Sequence, residues 1–515
     1  MFNLNQKNYF ISFLLIGIFL LALFLRFLYF PQNIYFGFDQ ARDAFVSQQI
    51  LKGDLKIVGP PTGVDGWFHG PLYYYIWAPI YFFSSGNPEA VAAFLRIVNA
   101  AGIFLVFAIG TVLFNKWTGV ASAFLFAVSF EQSQYALYFN HPSLAVISVM
   151  IFYLGLSLLF FKKYKNGLIP ALLGLGLSLQ FEFVLMYLFL VFTILMLAFK
   201  KHLPPLDKKV LLLSSGGFLL TISTFLLSEI KFHFRSVSTL ASLLPLVFGH
   251  TIGVAGYCQN IYLISQRFIS DNFVSQEYLT CVLLVLLLII VFARLFTKSE
   301  FRERLLFLLI WFFAGMLPYL NNKSATPLYY YSVASSVSLL IFVGFLINKV
   351  FQKSKIAAVL LLFIPLLSNM NLIMTYNNTG SIPTINVQSG MLLVDEEKIV
   401  DYIYQNAAGE KFAINGLTMP FFVNTTWSYL FQWYGLKRYH YLPVWGGQAA
   451  EGYPGNLKVI TARSALPDKQ YLIIEPDRGI RLPLVENFLR EENYFSKVIK
   501  EEKIGNFLVQ SREPI

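Results

Sequence analysis

From Phe10 to Thr375 the chain returns again and again to apolar runs about twenty residues long, beginning with FISFLLIGIFLLALFLRFLYF at 10–30. A helix rises 1.5 Å per residue, so a run of that length matches a hydrocarbon core roughly 30 Å thick. Composition agrees. Of 515 residues, 56% are hydrophobic and 13% charged, against about a quarter charged in soluble domains. The mean hydropathy is +0.60. These values exclude a soluble multidomain protein, a disordered chain and a collagen. The two cysteines, Cys258 and Cys281, are too few for a disulfide scaffold. The chain reads as an α-helical polytopic membrane protein. Eleven candidate spans fall at 10–30, 94–114, 117–130, 143–161, 167–181, 183–199, 210–228, 278–296, 305–320, 328–347 and 356–375.

The net charge of +11 does not mark a nucleic-acid binder, because of where it sits. Residues 1–375 carry 25 Lys and Arg against 13 Asp and Glu, whereas residues 376–515 carry 14 against 15. Sixteen of the 25 cations fall in one alternating set of short loops: Lys7, Lys116, Lys162, Lys163, Lys165, Lys200, Lys201, Lys208, Lys209, Arg294, Lys298, Arg302, Arg304, Lys349, Lys353 and Lys355. Positive charge is retained on the cytoplasmic side. This predicts a cell-membrane protein with a cytoplasmic amino terminus, an uncleaved first span and an extracytoplasmic carboxyl-terminal part. Two long segments, 31–93 and 229–277, then face outward. The second carries an amphipathic stretch, FHFRSVSTLASLLPLVF, suited to the membrane interface.

From residue 376 the pattern changes. KFAING, KVITAR, QYLIIEP and NFLVQSR read as strands, and DEEKIVDYIYQNA and LPLVENFLREENY as amphipathic helices. Residues 376–515 are therefore expected to form an extracytoplasmic α/β domain after a membrane domain of residues 1–375.

Charge near a bilayer is costly, about 2.5–3.5 kcal/mol at a helix centre, so acids on the outward side are informative. Five lie in the first loop, and Asp39 follows the first span closely. In FGFDQARDAFVSQQILKGD, Asp39 is placed to cap a helix over 40–51, with Asp43 one turn on and Arg42 three residues on. That spacing suits a carboxylate base beside a second acid and a cation. It equally suits a capping aspartate followed by an ordinary polar helix.

The surrounding pattern adds to this. D-Q-A-R-D-A at 39–44, K-G-D-L at 52–55, H-G-P-L-Y-Y-Y at 69–75 and the E-A lead-in to L-R-I at 95–97 together resemble the first extracytoplasmic loop of GT-C glycosyltransferases. They are most similar to the bacterial protein O-mannosyltransferase-like family (glycosyltransferase family 39), which includes the lipid A aminoarabinose transferases. LLGLGLSLQFEFVL at 172–185, LLSEIKFHFRS at 226–236, TTWSYLFQWYG at 425–435 and the closing IGNFLVQSR extend the resemblance over most of the chain.

The resemblance implies a GT-C fold of about eleven transmembrane helices. It also implies transfer of a hexose or pentose from a polyprenyl-phosphate donor to a hydroxyl of a protein, lipid or glycan on the outer face. Asp39 matches the family's loop aspartate, which binds or deprotonates the acceptor. The family's following glutamate is Gln40 here, so Asp43 becomes the second catalytic candidate. Cations for the donor phosphate would be Arg42, His69, Lys231 and Arg235. A divalent metal (Mg or Mn) would take oxygen ligands, with Asp39 and Glu131 as the expected pair. Glu182, between two apolar runs, either faces the cavity or merely turns the chain. The aromatic cluster of Tyr73, Tyr74, Tyr75, Trp77 and Tyr81 reads first as an interfacial belt and second as a sugar-stacking surface. Asn140-His141-Pro142 resembles a family turn and is assigned no chemistry. The competing readings are a polysaccharide polymerase or ligase, and a lipid-linked sugar flippase or transporter. A transporter would call for broken helices and charges at mid-membrane.

Overall fold

The computed structural model describes residues 6–64, 66–239, 253–296, 301–319, 328–383, 385, 388–455, 457–476 and 479–515. Part of the expected interfacial stretch, from residue 240 on, lies outside them, as does Asp65. The first half is a succession of helices: α1 (Gln6–Phe27), α2 (Phe38–Leu51), α3 (Leu72–Phe83), α4 (Pro88–Leu113), α5 (Lys116–Val128), α6 (Phe130–Leu137), α7 (His141–Phe161), α8 (Leu168–Phe181), α9 (Leu188–Ala198) and α10 (Lys208–Lys231). There follow α11 (Val254–Ser270), α12 (Glu277–Phe296), α13 (Arg302–Ala314), α14 (Ser335–Phe351) and α15 (Lys355–Tyr376). Every expected span falls on a helical segment. Among the described residues five helices are long and apolar enough to cross a membrane: Tyr9–Phe27, Pro88–Leu113, His141–Phe161, Lys208–Lys231 and Lys355–Thr379. Shorter apolar stretches include Lys116–Val128, Phe183–Ala198, Glu277–Val291 and Ser335–Phe351.

Helix starts follow local chemistry. Asn87, Asn115, Asp207 and Ser354 each accept a backbone N–H of the first turn of α4, α5, α10 and α15, offsetting the donors a helix leaves unpaired there. Small residues set the packing of α7 on α8. A Cβ at Gly174 would lie 2.4 Å from the Phe152 nitrogen, so only glycine allows the two backbones to come this close.

Two of the cations outside the short basic loops, Arg26 and Arg96, turn out to be buried. Arg26 donates to Asn99 Oδ1 at 2.8 Å and to the Phe126 and Ala127 carbonyls at the end of α5. Arg96 donates to the Arg26 carbonyl at 3.1 Å and to Asn33 Oδ1 at 2.9 Å. Both arginines thus satisfy carbonyls at helix carboxyl ends, where a cation is favoured, and fix the chain where it leaves α1.

The segment between α1 and α4 is itself helical. Tyr73, Tyr74, Trp77 and Tyr81 are at most 3% exposed, so the expectation of an interfacial belt is corrected: α3 turns these rings into the core against α2 and α4.

Beyond α15 come α16 (Leu393–Ala407), α17 (Thr425–Leu430), α18 (Leu436–Tyr439) and α19 (Leu482–Phe495) around six strands. These are β1 (Phe412–Leu417), β2 (Val444–Trp445), β3 (Lys458–Val459), β4 (Lys469–Ile474), β5 (Ser496–Ile504) and β6 (Phe507–Pro514). The sheet order is β3-β2-β1-β4-β6-β5, parallel from β3 to β4 and antiparallel at β6 and β5. Its β1 is fully buried, as parallel strands are, and its one polar side chain, Asn415, donates to Glu492 Oε1 at 2.9 Å. The sheet region and the helices share one continuous apolar core. Backbone bonds tie them as well, Phe36 N–H to the Met391 carbonyl and Leu393 N–H to the Ile34 carbonyl, at 3.0 and 2.9 Å.

Candidate active site

Asp39 is not the cap of α2. Gly37 is, and Asp39 stands in the first turn, where a carboxylate meets the positive end of the helix. The cap's backbone N–H is met by Gln40 Oε1 at 3.1 Å. Where the resembling family has a glutamate, the amide oxygen here serves as the capping acceptor.

Arg42 lies between the two acids. Its Nη1 is 2.7 Å from Asp39 Oδ1 and its Nη2 2.7 Å from Asp43 Oδ1, and Nε donates to the same Asp43 oxygen at 2.8 Å. All three guanidinium nitrogens thus contact a carboxylate oxygen. Asp43 is 2% exposed. Burial outweighs the neighbouring Arg42 and lifts its carboxyl to about 6.

Asp39 borders a cavity of about 860 Å³ whose walls include His69, Tyr138, His141, Glu182 and Tyr330. The H-G-P motif brings His69 there. A Cβ on Gly70 would lie 2.1 Å from Gln180 Oε1, so glycine lets the loop rest on the end of α8, and Gln180 accepts the Leu72 N–H at 3.3 Å. Asn140 caps α7 and sets His141 at its first position. The His69 and His141 rings lie 4.0 Å apart. Glu182 joins them, Oε1 at 3.5 Å from His69 Nδ1 and Oε2 at 3.7 Å from His141 Nδ1. Backbone groups orient both rings: His141 Nδ1 donates to the Phe181 carbonyl at 2.6 Å, and His69 Nδ1 accepts the Phe183 N–H at 3.2 Å. Ligand atoms of all three residues lie within 4.8 Å of one another. Burial raises the Glu182 carboxyl to about 8 and pushes the His69 imidazole well below its ordinary range. At neutral pH the carboxyl therefore keeps its proton unless a cation holds it.

The other expected site residues lie elsewhere. Glu131 does not line the cavity. It is fully buried in α6, accepts from Asn272 Nδ2 at 2.8 Å and sits 3.5 Å from Arg267 Nη2. The expected Asp39–Glu131 metal pair is corrected on this ground: the Glu131 carboxylate is committed to Asn272 and Arg267. Lys231 and Arg235 are exposed and do not border the cavity among the described residues. Arg235 packs by Gly66 instead. His141 was given no role from sequence. The one signal for it was its place between a capping asparagine and a proline, which fixes a side chain at a helix start.

The sequence matches no family model and no curated protein. Among solved structures the chain is similar to ArnT from Cupriavidus metallidurans bound to undecaprenyl phosphate. The TM-score is 0.61 and the identity 10%, covering 96% of this chain and 97% of that one. The apo state of the same protein gives 0.59 and 12%, over the same shares. The oligosaccharyltransferase of Archaeoglobus fulgidus, tethered with an acceptor peptide, gives a TM-score of 0.46 and 13% identity over 79% of this chain. The chain spans 62% of the length of that protein. Agreement with ArnT over almost all of both chains leads to one conclusion: this chain has the GT-C fold, in the form seen in ArnT.

Proposed function

We propose that the protein is an integral membrane glycosyltransferase that moves a sugar from a polyprenyl-phosphate donor to a hydroxyl of a protein, lipid or glycan acceptor. The observation that carries this reading is the 860 Å³ cavity bordered by a helix-terminal aspartate held by an arginine, on a fold shared with a protein crystallised with undecaprenyl phosphate.

Asp39 is the base. As the acceptor oxygen bonds to the anomeric carbon, the bond from that carbon to the phosphate oxygen breaks. Its electron pair leaves on the lipid phosphate, and the hydroxyl proton passes to Asp39. Such a one-step displacement inverts the anomeric centre. General base help of this kind contributes typically about 10²–10⁴-fold. Arg42 holds Asp39 and Asp43 in place through its ion pairs with both.

His69, His141 and Glu182 are the residues that would hold a divalent cation. Two imidazoles and a carboxylate suit zinc better than the magnesium or manganese expected from oxygen ligands. Bound there, the ion would supply positive charge for the lipid phosphate.

Residues 1–375 form the transferase unit and 376–515 an extracytoplasmic α/β domain in this reading, with the amino terminus cytoplasmic. The test is incubation of the purified protein with radiolabelled polyprenyl-phosphate sugars and membrane extract. Transfer of label from one donor, lost in Asp39→Asn, supports the reading. Retention of label on every donor sinks it.

A further inference from the structure

α2 carries Asp39 at one end. At its other end lies a second cleft, of about 610 Å³, to which the active-site residues contribute nothing. Thirteen residues of helix separate Asp39 from Lys52, roughly 20 Å. The cleft lies where the first loop meets the sheet region, between the ends of α2 and α3 and the helical stretch running from α17 through α18.

One wall is aromatic and fixed. Tyr429 and Trp433 stand one turn apart with ring planes 24° from parallel. The Tyr429 hydroxyl donates to the Gly86 carbonyl at 2.6 Å and accepts from Gln48 Nε2 at 3.0 Å. Gly86 has φ +84°, and a Cβ there would sit 3.1 Å from the Trp433 ring, so the turn can lie against the wall only as glycine. Trp433 lies within a π-helical turn, Phe431–Gly435, a distortion that recurs at functional sites.

The charge is one-sided. Lys52 and Lys437 border the cleft, no carboxylate among the described residues does, and neither lysine side chain makes an ion pair or hydrogen bond among the described residues. Phe82 on the rim and Phe83 beside it are 65% and 84% exposed, an apolar lip next to the polar cleft.

Tyr429 is 2% exposed and backs the wall, so Trp433 presents the flat aromatic face. With the Ser85 hydroxyl and the Gln432 amide also lining the cleft, it suits a sugar ring, whose axial hydrogens stack while its hydroxyls take hydrogen bonds. Two unpaired cations without an acid select a sugar that is negatively charged. We propose that this cleft binds an anionic saccharide, one bearing a carboxylate or phosphate. Its source is either a saccharide borne on a membrane lipid, for which the apolar lip is suited, or a soluble glycan. The proposal stands on the cleft's own chemistry and does not require that the protein be a transferase, since binding is measured without turnover.

The test uses the full-length protein in phosphatidylcholine nanodiscs. The probes are a glucuronate-containing tetrasaccharide and the same molecule with its carboxylates reduced to alcohols, each titrated calorimetrically. The acidic form should bind at least about tenfold tighter, with an advantage that falls as salt rises. Lys52→Glu combined with Lys437→Glu should weaken the acidic form by about tenfold or more and leave the reduced form unchanged. Both positions are exposed, so the variant should fold, and an unchanged thermal transition verifies it. Trp433→Ala should weaken both forms. Asp39→Asn should change neither, which separates this cleft from the active site. A third arm presents the acidic saccharide on a lipid anchor in the disc: tighter binding than the soluble form assigns the membrane source, and equal binding the soluble one. Equal affinity for the acidic and reduced forms, or a lysine variant that binds like the parent, overturns the proposal.

Discussion

Gln40 Oε1 accepts the backbone N–H of Gly37 at 3.1 Å, closing the first turn of the helix that carries both candidate catalytic acids. A carboxylate could make the same bond, so the amide keeps the cap while removing one charge from a crowded acidic turn. Gln40→Ala should lower stability by about 1 kcal/mol through loss of the cap. Gln40→Glu should retain the cap but place a second buried carboxylate next to Asp43, beside the part-exposed Asp39, and should lose more stability at pH 8 than at pH 5. Thermal unfolding of both variants at the two pH values reads out the difference.

Asp39→Asn keeps size and position but cannot take a proton. Transfer per folded molecule should fall by at least about two orders of magnitude, with stability changed by less than about 1 kcal/mol. Asp54→Asn, in the same loop but 59% exposed in its side chain and paired only with Lys56, serves as the mild control. Near-normal transfer by Asp39→Asn would move the base to Asp43.

If His69, His141 and Glu182 hold a zinc-type ion, exhaustive dialysis against a chelator should lower the unfolding temperature, and zinc should restore it where magnesium does not. His141→Ala should weaken metal binding by about 10- to 100-fold or more. Glu131→Gln should leave metal content untouched, because Glu131 faces Arg267 and Asn272. Metal analysis of the purified variants decides between the two groups of residues.

Glu396 is fully buried, neither of its oxygens is hydrogen-bonded, and Glu475 faces it. Burial pushes Glu396 well above the usual carboxylate range and Glu475 to about 7. The native state therefore binds these protons more tightly than the unfolded chain does. Their contribution to stability is fully present below about pH 4 and declines as pH rises to about 7 for Glu475, and further for Glu396. Glu396→Gln stays neutral throughout. Its unfolding temperature should drop less than the parent's between pH 5.5 and pH 8.5. An equal drop in both would remove Glu396 as a source.

Sixteen of the 25 Lys and Arg of residues 1–375 fall on one set of short loops, which predicts that those loops are cytoplasmic. A reporter fused after Ile515 should be active outside the cell, and one inserted after Leu206 should be active inside. Activity of both on one side would undo the assigned orientation.

What the sequence made legible was local. Apolar runs located the helices, and the i to i+3 spacing put Arg42 on Asp39, since a helix turn enforces that neighbourhood. Strands β1, β3, β4 and β6 were readable, but not the two-residue β2, which is held by its neighbours in the sheet, nor β5, whose charged and mostly exposed run lies at the sheet edge. The histidine–glutamate group was hidden because His69, His141 and Glu182 come from three separate segments joined only by packing. Glu131 misled for the same reason. Its position at a span end was read correctly, but its partner Arg267 lies far along the chain. The tyrosines of α3 were misplaced because an aromatic-rich helix looks alike whether it faces lipid or core.

The bonds joining residues 34 and 36 to 391 and 393 also set an order of events during synthesis. When the ribosome has made α2, the segment that will pin its approach is still hundreds of residues from being translated. The segment that carries Asp39 must wait without those bonds until residue 393 has emerged. A product cut short between residues 377 and 390 would then keep α1 to α15 yet lack both bonds, so premature termination there would leave the segment that carries Asp39 unanchored.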